Sequence, residues 1–170
     1  MLRHMKTRNV LFYSLLLLLA AACSEEVKPI PYTYTQHFTG TTSRAWKLTG
    51  LVIKQAGKGD ITFRESDLPQ ALGSCVADDR YVFYANTLHT YEVQEGASTC
   101  QAGDPQLYLT DAWTFSNANA TLAFIFPVLS DQQLPYFVRS ADDAQMELEI
   151  FLDENNTSSY RMTFKATNNN

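Results

Sequence analysis

The sequence predicts an all-β fold, an eight-stranded up-and-down antiparallel β-barrel over residues 44–167 that follows a cleaved signal peptide and a flexible tether. From Arg44 onward, apolar and polar residues alternate with a period of two in short runs, which is typical of half-buried strands. No long stretch of helical period follows the first 22 residues. The predicted strands are Arg44–Lys54, Arg80–Tyr84, Leu88–Val93, Asp111–Ser116, Thr121–Pro127, Pro135–Ser140, Gln145–Leu152 and Ser158–Lys165.

The connecting segments sort by length into two groups. In an up-and-down barrel, successive links fall alternately at the two ends, so the sequence predicts one closed end and one loop-rich end. The first long link contains Ser66–Ser74, for which we predict a turn or two of helix capped by Ser66 or Asp67. One end receives the links Ala85–Thr87, Asn117–Ala120 and Ala141–Ala144, and the other receives Gln55–Asp79, Gln94–Thr110, Val128–Leu134 and Asp153–Thr157.

The N-terminus has the pattern of a secretory signal peptide. Arg3, Lys6 and Arg8 precede an apolar run, Val10–Ala22, that stops directly at Cys23. The run is shorter than the ~20 residues that a membrane-spanning helix needs. We therefore predict a signal peptide over residues 1–22, a lipidated N-terminus and tether over residues 23–43, and a disordered tail over residues 168–170. The alternation of Tyr32, Tyr34 and Phe38 leaves open that part of the tether docks onto the barrel.

The small residues before Cys23 resemble the lipobox of bacterial lipoproteins, with Ala20 where that motif usually has Leu. The resemblance implies a thioether-linked diacylglycerol on Cys23, and two or three acyl chains, such as palmitate, anchor a protein stably. The alternative is a plain secreted protein. Glu25 and Glu26 resemble the surface-export signal of Bacteroidota lipoproteins. We expect a protein anchored by lipid in the bacterial outer membrane. The sequence does not decide whether it lies on the periplasmic face or on the cell surface.

Charge and the remaining cysteines narrow the function classes. The leader holds three of the 13 basic residues and none of the 18 acidic ones, which leaves a net charge near −8. Such a chain, without a basic cluster, is not expected to bind nucleic acid. Cys75 and Cys100 lie in the two longest links and form an even pair in an oxidising compartment. We predict a disulfide between them, with two buried thiols as the alternative.

The sequence offers no set of residues typical of catalysis. His37 and His89 have no further His or Cys at ligand spacing, so no metal site is expected. The pairs Asp78-Asp79 and Asp142-Asp143 are interpreted as solvated turn residues, with a cation site or a general-acid pair as the alternative. We therefore expect no enzyme activity, no catalytic residues and no cofactor.

Several motifs occur in an order that resembles a known family. Trp46-Lys47-Leu48 opens the first strand, Cys75 precedes Tyr81-Val82-Phe83, and Cys100 precedes Trp113-Thr114-Phe115. Over residues 44–166 this order resembles the lipocalin-like lipoproteins of Bacteroidota. The resemblance implies an eight-stranded barrel in the cell envelope, with Trp46 closing the short-loop end.

The candidate ligand site is the barrel interior, because an eight-stranded barrel is just wide enough to be filled by side chains or to hold one small ligand. The first hypothesis is a binding module for a small hydrophobic molecule or a glycan. The second is a filled barrel that contacts another envelope protein through its loop-rich end, as an inhibitor or a complex subunit. Phe63, Leu68 and Tyr108 at that end suit either a ligand gate or such a protein contact. The predicted inward residues are Trp46, Leu48, Phe83, Tyr91, Trp113, Phe115, Phe124, Ile150, Tyr160 and Met162.

Overall fold

The computed structural model describes residues 33–118 and 120–167. The predicted signal peptide, Cys23, most of the predicted tether and the predicted tail lie outside these residues. Within the described part, the strands are β1 Ser43–Lys54, β2 Ile61–Arg64, β3 Arg80–Tyr84, β4 Thr90–Gln94, β5 Leu107–Ala112, β6 Thr114–Ser116, β7 Thr121–Ile125, β8 Gln133–Ala141, β9 Gln145–Phe151 and β10 Ser159–Thr167. The helices there are α1 Tyr34–Thr39, α2 Leu68–Leu72 and α3 Ser74–Ala77.

All strand pairs are antiparallel and form a nearly closed barrel. The strands are ordered β5-β4-β3-β1-β10-β9-β8-β7-β6, and β2 adds to β1 outside this path. Trp113 alone separates β5 from β6, so one continuous stretch of chain joins the two ends of the sheet. The predicted all-β, up-and-down barrel is confirmed at this level.

The predicted number of eight strands is wrong, because the described residues contain ten. The predicted strand Asp111–Ser116 starts earlier and is divided at Trp113. There the backbone N–H bonds to the carbonyl of His89, just before β4, and the following residues pair with β7 instead. The additional strand β2 lies in the first long link and pairs with Gly50–Ile53 of β1. Its four residues were too few for a period-two signal.

The short-loop end, where the links β3–β4, β6–β7 and β8–β9 lie, is closed by α1. Thr33 and Gln36 form a capping box at the start of this helix, which satisfies free backbone donors. Phe38 is fully buried, and its carbonyl accepts a hydrogen bond from Nε1 of Trp46 at 2.8 Å. Trp46 thus lies where the resemblance placed it. The end of the predicted tether docks on the barrel, as the alternation of Tyr34 and Phe38 left open, and it does so as a helix.

The barrel interior is filled by aromatic rings. Phe83 packs on Tyr91 with centroids 4.9 Å apart, and Phe124 packs on Tyr136 at 4.7 Å. Edge-to-face contacts join Phe83 to Phe124 at 5.4 Å, a geometry that ring quadrupoles favour. The centre of the barrel is therefore a packed core.

The loop-rich end carries the long links, α2 and α3. Cys75 and Cys100 are bonded, with Cα atoms 5.1 Å apart, so the predicted disulfide is confirmed and ties the two longest links together. Helix α2 confirms the predicted helical turn, with Asp67 at the N-cap position. The Asp67 side chain makes no capping bond to the helix and accepts from the backbone of Arg64 instead.

Candidate functional site

The barrel is split on one side at its loop-rich end. The ladder between β6 and β7 covers only residues 114–116 and 121–123, so β5 and the end of β7 diverge. A partly enclosed cavity of about 450 Å³, here called the rim cavity, lies between Tyr108 of β5 and Val128 beyond β7. The Cys100 end of the disulfide also lines it. Its apolar wall consists of Ala71, Leu72, Val76, Pro127 and Val128.

Asp79 is the central polar residue of the rim cavity. It is only 3% exposed, and its Oδ2 accepts a hydrogen bond of 2.8 Å from the hydroxyl of Tyr108. Its Oδ1 has no hydrogen-bond partner among the described residues. The pKa of Asp79 is raised to about 6, chiefly by burial and also by the charges of Glu95 and Asp78, while hydrogen bonds from Tyr108 and from the backbone of Gly96 oppose the shift.

Glu95 places a second carboxylate on the same cavity. It is 7% exposed, and within the described part of the chain its Oε2 lacks a partner. Burial raises the pKa of Glu95, with smaller contributions from Asp104 and Asp78. The neighbouring Gly96 lets the loops approach closely, because a Cβ there would collide with the carbonyl and side chain of Asp78. Two acidic loops are therefore packed directly against each other.

Three tyrosine hydroxyls lie in the interior below Asp79. Those of Tyr81, Tyr91 and Tyr136 are buried, and none has a partner among residues 33–118 and 120–167. Burial raises the pKa of Tyr81 well above its ordinary value, and Tyr108 and the charge of Asp79 add to the shift. A buried hydroxyl without a partner costs ~1–3 kcal/mol. The polar region thus extends from the rim cavity into the aromatic core.

A different carboxylate, Glu149, is buried on the outer face of the barrel wall. Its side chain is 2% exposed and is surrounded by Lys54, Arg139 and Arg161. Ser159 also donates a hydrogen bond of 2.7 Å to it. Burial alone would raise the pKa of Glu149, but the hydrogen bonds from Ser159 and Arg139 and the arginine charges outweigh burial and lower it.

The predicted interior residues lie in or against the core, but none of them lines the rim cavity. Phe115, Ile150 and Tyr160 are partly buried and pack against that core. The remaining seven are buried: Trp46, Leu48, Phe83, Tyr91, Trp113, Phe124 and Met162. The structure therefore brings the predicted set together as packing, and the cavity is formed by other residues.

The interpretation of Asp79 as a solvated turn residue is wrong, because the structure buries it. A signal for both acids was present in the sequence. Asp79 continues the inward alternation of Tyr81 and Phe83, and Glu95 continues that of Tyr91 and Val93. Extending each predicted strand by one inward position finds both carboxylates.

The other residues considered at the sequence level have structural contacts. Asp143 lies at the β8–β9 turn and pairs with Arg44 and His37. The ring of His89 stacks on Trp113 with centroids 4.5 Å apart. Of the apolar residues proposed for a protein contact, Leu68 is buried in the core, Phe63 is half-buried, and Tyr108 lines the rim cavity.

No group of three or more metal-ligating side chains occurs in the part of the chain that the structure describes. Among the same residues, no helix combines the length and apolar character needed to cross a membrane. No protein-family profile matches the chain, and no curated protein matches it significantly.

Proposed function

We propose that this protein is a non-catalytic binding module, a lipocalin-like barrel anchored by lipid in the bacterial outer membrane, which takes a small molecule into its rim cavity. The observation that carries the proposal is a cavity of about 450 Å³ whose two carboxylates, Asp79 and Glu95, are buried and incompletely paired. That volume is within the range of small-molecule sites, ~300–1,000 Å³. The filled interior favours the rim cavity over the barrel centre.

The position of α1 supports an orientation away from the membrane. The chain leads from Cys23 to Thr33, which caps α1 at the short-loop end. The rim cavity lies at the opposite end of the barrel. A lipid on Cys23 would therefore leave the cavity facing solvent, where a hydrophobic molecule or a glycan could reach it.

Native mass spectrometry of the full chain, purified from the organism that encodes it, tests the binding function. We expect a co-purified small molecule that is lost in Val128→Trp, which fills the cavity. Leu107→Trp is the control, since Leu107 is exposed at the same end and outside the cavity lining. Equal loading of all three proteins, or none in any of them, would contradict the proposal.

The anchor is tested separately by Cys23→Ala. The wild-type chain is expected in the membrane fraction, and the variant is expected in the soluble fraction, because the acyl chains supply the membrane affinity. A variant that stays with the membrane would contradict lipidation at Cys23.

The second candidate function is a contact with another envelope protein. It is favoured by Ile61, Leu107 and Leu152, which are exposed and lie at the loop-rich end. A photo-crosslinker at Leu107 should then give one discrete adduct in cells. The same probe at Leu88, exposed at the short-loop end, should not. Equal adducts at both positions would count against this function.

A further inference from the structure

We propose that the rim cavity selects an organic cation, an ammonium group on an apolar body, with Asp79 and Glu95 as its counter-ions. The inference rests on the proposed function and names the ligand class for the same site.

Neither carboxylate of the rim cavity has a positively charged partner among the described residues. Asp79 and Glu95 are both more than nine-tenths buried and line the same cavity. No described Lys or Arg forms an ion pair with either of them. Buried carboxylates are ordinarily paired because their desolvation is costly. A cation supplied by the ligand would complete this arrangement.

The polar groups of the rim cavity that lack a partner are hydrogen-bond acceptors. Oδ1 of Asp79 and Oε2 of Glu95 have no partner among the described residues, and ionised carboxylates only accept. The Tyr108 hydroxyl already donates its hydrogen to Asp79. A ligand must therefore bring donors, and an alkylammonium group carries three donors and no acceptor. An anionic ligand would be repelled by both acids.

The rim cavity also has an apolar wall beside these acids. Leu72, Val76 and Val128 line the rim cavity together with Pro127. This surface would bury a hydrocarbon or aromatic body beside the ammonium group, which contributes binding energy in proportion to the area removed from water. A bare divalent cation would make no use of it, and the described residues provide no three-ligand metal group.

The test compares hexylamine, hexanol and hexanoate, which share a body and differ in charge. Binding to the full chain in detergent micelles is followed by the methyl NMR signals of Val76 and Val128, with empty micelles as the blank. We expect the amine to bind about tenfold or more tightly than the alcohol, as hydrogen bonds between charged groups allow, and hexanoate to bind least.

Two variants and one control locate the effect. Asp79→Asn and Glu95→Gln should each reduce the amine affinity to near that of hexanol and leave hexanol itself unchanged. Asp60→Asn removes an exposed acid at the same end and should change neither. Hexanol binding as tightly as the amine at the cavity would overturn this inference and leave the proposed function standing. No shift with any probe would overturn both, and Ca²⁺ displacing the amine would overturn the ligand class.

Discussion

Asp79 and Glu149 are both almost completely buried carboxylates, but their surroundings are opposite. Glu149 on the barrel wall is paired with three basic side chains and a hydroxyl. Asp79 in the rim cavity accepts hydrogen bonds from one hydroxyl, that of Tyr108, and from the backbone of Gly96, but it has no ion pair within the described part of the chain. The pKa of Glu149 is lowered and that of Asp79 is raised to about 6.

The difference separates a structural charge from a charge available for binding. The wall carboxylate is satisfied within the fold, so it holds strands β1, β8, β9 and β10 together. The carboxylate in the rim cavity is held at a cost to stability. Such costs are found where a site is prepared for a ligand, and this is why the comparison supports the function proposed for the rim cavity.

The largest effect is expected for Glu149→Gln. Removing one member of a buried ion pair costs ~3–5 kcal/mol. The three partners have side chains 32–40% exposed, so solvent relieves part of the cost, and we expect a loss of about 3 kcal/mol in urea unfolding at neutral pH. Because the folded pKa is lowered, the loss should shrink as the pH falls below 4.5, the ordinary value of this carboxyl.

Glu147→Gln is the matched control, because Glu147 lies two residues earlier on the same face of β9. Its effect should stay within about 0.5 kcal/mol, as for most surface substitutions. Equal losses of unfolding free energy in the two variants would mean that the ion pairs of Glu149 do not stabilise the fold.

Asp79→Asn is expected to act in the opposite direction. The pKa of Asp79 is about 6 in the folded chain and has an ordinary value of 3.8. As the pH rises, the unfolded carboxyl therefore ionises first, and ionisation favours unfolding between these two values. The variant should be more stable than wild type at neutral pH by up to about 3 kcal/mol and gain nothing below pH 3.8.

Urea unfolding across this pH range measures the gain, with Asp60→Asn as the exposed control. A variant less stable than wild type at neutral pH would show that the charge of Asp79 is compensated in the fold. That result would remove the contrast with Glu149.

Tyr108→Phe is expected to have the smallest effect of the three. It removes the hydrogen bond of 2.8 Å to Asp79, which should raise the pKa of Asp79 further and lower stability at neutral pH by about 1 kcal/mol. Carboxyl carbon NMR of Asp79 measures the pKa. Tyr84→Phe removes a bond of the same length to Glu92 on the wall and should leave that pKa unchanged. Identical titrations of Asp79 in both variants would contradict its dependence on Tyr108.

The sequence predicted more of the fold than of the candidate site. The alternation of Met146 and Leu148 against Glu147 indicated which face of β9 is inward, and both inward residues are buried. The even pair of Cys75 and Cys100 predicted their bond, and their position in the two longest links agreed with it. The alternation of Tyr34 and Phe38 left open that the end of the tether docks on the barrel, but its helical form was missed because six residues carry little periodicity.

The sequence by itself determined the up-and-down order of the main strands, most of their inward faces and the end at which the long links meet, but neither β2 nor the division between β5 and β6. Each of these follows from spacing along the chain, since side chains alternate strictly in a strand. Tertiary structure alone decided that the sheet splits beside Trp113 and that, among the described residues, Glu149 has counter-ions while Asp79 has none. Those features depend on residues far apart in sequence, such as Asp79 and Tyr108, 29 positions away, whose distance is set only when the barrel forms.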